Sequence, residues 1–172
     1  MNRFIGTKLV NAKPMNRLEY NKFRGWTLPE DENGDDEGYL VEYVDGGKPN
    51  TSEYAGYVSW SPKEQFDNAY RQYGSMTFGQ ALEAMKHGFK VARHGWNGKG
   101  MWICLGFGSE NLSADEFWNI HTRNFADENG GSASVLPYFI MKTSDNKILM
   151  GWLASQTDLV SEDWEVIGED IK

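Results

Sequence analysis

The sequence predicts an α+β fold of two compact modules, each built from small antiparallel sheets and short capped helices. Three observations carry this prediction. Apolar runs of strand length are separated by polar, glycine- or asparagine-bearing turns rather than by long helical stretches. Short helices are announced by a Ser, Thr or Asn with an acid or amide three residues later. Gly74-Ser75 ends one such helix, and a new start signal follows at Thr77, which divides residues 1–75 from residues 76–172.

In chain order, residues 4–15 read as a strand that ends near Pro14. Asn16 to Glu19 has the spacing of a capping box, with Met15 and Tyr20 placed to staple it, and Gly25 is the expected stop. The acidic stretch 29–38 reads as a solvated loop, because its spacing does not match an EF-hand calcium loop. Residues 38–44 and 56–60 are expected strands. Ser61-Pro62-Lys63-Glu64 then predicts a helix whose apolar face is Phe66, Ala69, Tyr70 and Tyr73.

In the second module, Thr77 and Gln80 cap a helix with Phe78, Ala81, Leu82 and Met85 on one face and Gly88 at its end. Residues 89–96 and 101–107 read as strands joined by the tight turn Asn97-Gly98-Lys99-Gly100, since Asn-Gly tolerates positive φ angles. Ser113 to Glu116 predicts a short helix through Phe117, Trp118 and Ile120, and residues 126–134 predict a glycine-rich loop. The last stretch reads as strand (136–141), turn (143–146), strand (148–153), polar loop (154–158) and a final strand after a helical turn.

Composition narrows the function classes. The chain has 172 residues, 14% of them aromatic, with seven Trp, and it is long enough to bury a core. Its formal charge of −8 argues against binding a nucleic-acid polymer, which requires a basic face. Cys104 is the only cysteine, so no intramolecular disulfide is possible, and its apolar neighbours make it a small hydrophobe. No leader pattern and no 18-residue apolar run stands in the sequence, so a cytoplasmic protein with no membrane partner is expected.

No complete catalytic or metal-binding constellation is legible. His87, His94 and His121 lie in different elements without ligand spacing, so neither metal nor cofactor is expected. The Ser-x-x-Glu/Asp patterns serve as caps, and Gly106-Phe107-Gly108-Ser109 lacks the lysine of a phosphate loop. What the sequence offers instead is a binding inventory. Arg93, Trp96 and Asn97 lie in one hairpin; Trp152, Ser155, Gln156, Thr157 and Asp158 lie in another. Arginine chelates phosphate oxygens, indole rings stack on bases, and amides and carboxylates read sugar hydroxyls. The alternative is that Arg93 pairs with Asp163 or Glu165 and the tryptophans fill a core. The residues alone leave both readings open.

The segment MTFGQALEAMKHGFKVARHGWNGKGMWICL, followed by LPYFIMKTSDNKILMGWLASQTDLVSEDWEVI, resembles the phage-encoded Thoeris anti-defence sponges of the second type. The resemblance runs from Met76 to about Ile167 and is most specific at Val91-Ala92-Arg93, at Gly95-Trp96-Asn97-Gly98, at Leu136-Pro137-Tyr138 and at 151–158. It implies a small α+β protein that forms homo-oligomers, typically tetramers, in the cytoplasm of an infected bacterium. It also implies that the partner is a small cyclic nucleotide signal, glycocyclic ADP-ribose or a cyclic dinucleotide, bound without cleavage. Residues 1–75 fall outside that pattern and look like a phage module of unknown function. Two other classes remain as expectations to be tested against: a phage structural or protein-interaction module, and an enzyme that degrades such a nucleotide.

Overall fold

The computed structural model of the chain describes residues 6–168. They form two compact units divided between Arg71 and Gln72, four residues ahead of the boundary read at Gly74-Ser75.

The first unit is built on a three-stranded antiparallel sheet in the order β1 (Val10–Pro14), β2 (Gly38–Tyr43), β3 (Tyr57–Pro62). Between β1 and β2 runs α1 (Arg17–Arg24), with the Asn16–Glu19 capping box formed and Gly25 in the left-handed conformation. Side chains alternate across a strand. Leu40 and Val58 therefore face Tyr20 of α1, with Met15, Phe23 and Trp60 around them. Tyr39 points the other way and stacks on Phe66 of α2 (Lys63–Ala69), at 4.2 Å between ring centres.

Three expectations are corrected here. The first strand is shorter than 4–15; it starts at Val10, and Phe4 and Ile5 lie outside the described residues. Ser61 is not the cap of α2: β3 continues through Pro62, which holds the cap position without a side-chain bond. The helix also stops at Ala69 rather than running to Tyr73. Tyr70 has already turned to extended backbone, where its ring stacks on Phe66 at 4.7 Å.

The second unit centres on a five-stranded antiparallel sheet in the order β10, β4, β5, β8, β9. These are β4 (Lys90–Arg93), β5 (Trp102–Gly106), β8 (Tyr138–Lys142), β9 (Ile148–Met150) and β10 (Trp164–Ile167). Across it packs α3 (Phe78–Lys86), begun by the Thr77–Gln80 capping box. Gly88 at φ +90° ends it, with its N–H bonded to Met85 and that of Phe89 to Ala84, the paired bonds of a Schellman stop. Met76, Ala81, Met85, Val91, Ile103, Met141 and Trp164 make the buried core between them.

Inserted between β5 and β8 is a small lobe of β6 (Ser109–Ser113), a single 3-10 turn (Ala114–Glu116), α4 (Ile120–Glu128) and β7 (Ser132–Val135). Its core is three alanines, Ala114, Ala126 and Ala133, with Phe117 against them. The expected loop at 126–134 is thus largely structured. Alanine lets α4 approach β7 closely, and Ser132–Val135 pairs with β6. The helix read from Ser113 is likewise divided, because Asn119 caps α4 anew with its side chain on the N–H groups of His121 and Thr122.

Two further corrections bear on the candidate site. The β4–β5 connection is not the tight turn Asn97-Gly98-Lys99-Gly100 but a longer loop, 94–101. Among the described residues only Asn146 combines a positive φ with a side chain, so Asn97 does not supply the turn; Gly100 does, at φ +66°. The loop is drawn out because the ring of Trp96 leaves it to join the core. The polar stretch 154–158 is not all loop either. Ser155 is the N-cap of α5 (Gln156–Val160), in a capping box with Asp158.

Candidate functional site

The chemistry of the second unit concentrates where β4, β10 and α5 meet. Arg93 ends β4 and lies opposite Trp164 in the register of β10. That register brings the guanidinium to Asp163, to which Nε donates at 2.8 Å and Nη2 at 3.3 Å. Its Nη1 donates to Asp158 Oδ1 at 2.8 Å. Only 10% of the Arg93 side chain is exposed, as is 10% of that of Asp158. The arginine is therefore held between two carboxylates in a largely dry setting, where each is the compensation the other needs.

Asp158 is the hub. Its Oδ1 also accepts from the indole N–H of Trp96 at 3.1 Å. Its Oδ2 accepts from the Ser155 hydroxyl at 2.7 Å and the Ser155 N–H at 3.0 Å. One side chain thus closes the cap of α5, fixes the 94–101 loop through Trp96 and pairs with β4. Burial pushes its carboxyl up, but the bonds from Ser155, Arg93 and Trp96 outweigh that and hold it at about 2. Asp163 is likewise held below the usual range, first by Arg93 and then, against the opposing effect of burial, by the Gly95 N–H at 2.7 Å. Arg93 is raised, chiefly by Asp163. Trp164, fully buried, completes the arrangement by donating its indole N–H to the Asp158 carbonyl at 3.1 Å.

Of the residues predicted to bind a ligand, Arg93, Trp96, Trp152, Ser155 and Asp158 are gathered here. Trp96 and Trp152 are half-buried and meet edge to face at 6.0 Å, both against the core. Asn97, Gln156 and Thr157 are exposed around them and make no side-chain hydrogen bond among the described residues. Asp163 and Trp164 belong to the same network. The sequence signalled Asp163 only as one of two possible partners of Arg93.

Elsewhere, a cavity of about 500 Å³ lies in the first unit between Lys8, Tyr43 and Tyr57. No group of three or more potential metal ligands occurs among the described residues. Nor does any described helix have the length and apolarity to cross a membrane.

A family profile described as Thoeris anti-defense 2-like matches residues 76–167. The chain is also 37% identical, over 103 residues, to a protein named Thoeris anti-defense 2 from Bacillus phage SP01. That similarity spans 54% of this chain and 94% of the phage protein.

Proposed function

The chain belongs to the Thoeris anti-defense 2-like family, and we propose that it counters Thoeris immunity by sequestering a cyclic nucleotide signal without cleaving it. The family match carries this reading, since it covers the whole of the β4–β10–α5 surface. The surface chemistry supports it. A cyclic nucleotide presents flat bases, sugar hydroxyls and phosphates. Trp96 and Trp152 offer ring faces and edges, while Asn97, Ser155, Gln156 and Thr157 offer amides and hydroxyls. Arg93 and Asp158 act mainly by holding these groups in place, because three of the five N–H groups of the arginine are already engaged.

A sponge requires tight reversible binding, and nanomolar affinity corresponds to about −12 kcal/mol. One open surface with two half-buried rings falls short of that, so the reading includes self-association that closes the ligand against a second copy. Trp118 (87% exposed), Leu153 (89%) and Leu136 (81%) are the kind of apolar groups such contacts cover. The place of action is the cytoplasm of the infected bacterium, where the signal would be made.

The test is calorimetric titration of the protein with glycocyclic ADP-ribose and with cyclic dinucleotides, followed by mass spectrometry of the ligand released on heating. Stoichiometric recovery of intact ligand is expected. A hydrolysed ligand would make the protein an enzyme, and absence of binding to the whole panel would favour a protein-interaction module.

A further inference from the structure

The first unit holds a hollow in residues that the family match does not reach. On one face of its three-stranded sheet, Leu40 and Val58 meet Tyr20 of α1. On the other face α2 covers the Tyr39 end through Phe66. The far end of that second face carries Tyr43 and Tyr57, direct partners in the β2–β3 register, with Ser59 two residues along on the same side. The two rings stand 6.3 Å apart at 41°, and Tyr57 stays 45% exposed. They floor the cavity of about 500 Å³, a volume typical of small-molecule sites.

Polar groups converge on this floor. Lys8 reaches Asp45, Nζ to Oδ1 at 3.9 Å, with its ammonium 5.1 Å from the centre of the Tyr43 ring. Ser59 Oγ donates to the Tyr43 hydroxyl at 3.4 Å. Asp45, Gly46 and Gly47 form the wall. Gly47, at φ +89°, comes so near Tyr57 that an added Cβ would stand 3.3 Å from that of the tyrosine. The loop behind the wall is tied down at two points. Glu42, itself buried, accepts from the Gly56 N–H and the Asn11 amide, each at 3.0 Å. The Asn50 side chain donates to the Val58 carbonyl and accepts its N–H, each at 2.8 Å. A site built on fixed groups loses little freedom when it binds.

The charges decide the class of ligand. A cation would have to displace Lys8 from Asp45 and Tyr43, and an anion would meet the Asp45 carboxylate. A neutral ligand bearing hydroxyls keeps the pair and uses both members, donating to the carboxylate and accepting from the ammonium. Tyrosine rings beside such groups suit a molecule with an apolar face and a polar rim. A pyranose sugar has both, C–H groups on its faces and hydroxyls around its edge. We propose that the first unit binds a neutral saccharide, its ring laid on Tyr57 and Tyr43 and its hydroxyls held by Asp45, Lys8 and Ser59. This site shares no residue with the β4–β10–α5 surface and stands independently of the nucleotide reading.

The experiment is saturation-transfer difference NMR on the full chain with glucose, galactose and N-acetylglucosamine. Glucosamine and glucuronate serve as cationic and anionic probes on the same ring. At least one neutral sugar is expected to bind more tightly than either charged probe, with its ring C–H protons the most strongly saturated. Circular dichroism first establishes that each variant folds. Tyr57→Ala should weaken that sugar about tenfold, whereas Tyr57→Phe, which keeps the ring, should stay within about twofold of the parent. Asp45→Asn should weaken it about threefold and, by leaving Lys8 unbalanced, strengthen glucuronate. Asn97→Ala, in the second unit, should leave sugar binding unchanged. Failure of all three neutral sugars to bind, or tighter binding of glucosamine or glucuronate, overturns the saccharide. A sugar whose affinity is unchanged in folded Tyr57→Ala or Asp45→Asn overturns the site. A chain that binds the sugar at this site but no cyclic nucleotide upholds the inference and removes the function proposed above.

Discussion

At the β10 edge of the second unit, polar and aromatic groups are spent on one another; at the far lobe and the β9 edge they are turned outward. Around Trp164, one arginine, two aspartates, a serine and two indoles satisfy each other within a few ångströms. In the inserted lobe the core is three alanines, while Trp118, Phe125 and Ile120 stand 87%, 60% and 59% exposed. The same residue types do opposite work. Near β10 they lock one backbone arrangement, and near β9 and the lobe they leave apolar surface for something else to cover. High aromatic content therefore says little about function until the direction of each ring is known.

The comparison breaks most sharply at the tryptophans. Trp164→Ala should destabilise the second unit by about 3–5 kcal/mol, because the ring is fully buried and its removal leaves a cavity. Trp118→Ala should change monomer stability by no more than about 0.5 kcal/mol, as expected of an exposed position. Amide exchange at Val91 and Ile103, buried in adjacent strands, reads both effects within this unit. Equal losses would show that Trp118 is buried in solution.

Arg93→Ala should cost about 3–5 kcal/mol by the same readout, since it strands the buried Asp158 and removes the main partner of Asp163. Its loss of ligand binding should follow its loss of fold. A folded Arg93→Ala protein with intact stability and abolished nucleotide binding would instead make the guanidinium a direct ligand contact.

Acid sharpens the same contrast. Asp158 is depressed to about 2 and Asp163 is also lowered. A depressed carboxyl contributes stability that is fully present above its unfolded value, near 4, and is lost as pH falls through the folded value. Arg93 stays charged throughout, so the second unit should lose stability between about pH 4 and pH 2, and Asp158→Asn should flatten that slope. Denaturant titrations at stepped pH check it; an unchanged slope in the variant would place the acid-sensitive group elsewhere.

Ser155→Ala should have the smallest effect within the network, about 1 kcal/mol for loss of a helix cap. Asp158 keeps Arg93 and Trp96 as partners in that variant. Thermal melts that separate Ser155→Ala from Arg93→Ala by several-fold would support this order.

How much was legible follows the range of each interaction. Capping boxes at Asn16 and Thr77, and the stops at Gly25 and Gly88, were readable because their partners lie within a few residues and need nothing from the rest of the chain. The turn at 143–146 was readable for the same reason, with Asn146 at φ +60°. The Asn97-Gly98 turn was misread because the demand of the core for the Trp96 ring outweighed a local preference. Ser155 is an instructive middle case. Its spacing to Asp158 is that of a cap, yet the polar composition of 154–158 reads equally well as a binding loop.

The sequence by itself determined the α+β class, the local starts and stops of α1 and α3, and the segment that carries the family resemblance. Only the tertiary structure showed that Arg93 pairs with both Asp158 and Asp163, which stand 65 and 70 positions away. It also decided that Ile148, Leu149 and Met150 of β9 stay exposed at a sheet edge among the described residues. Both are matters of strand pairing, and pairing is chosen by the burial of the whole core rather than by any neighbouring residue.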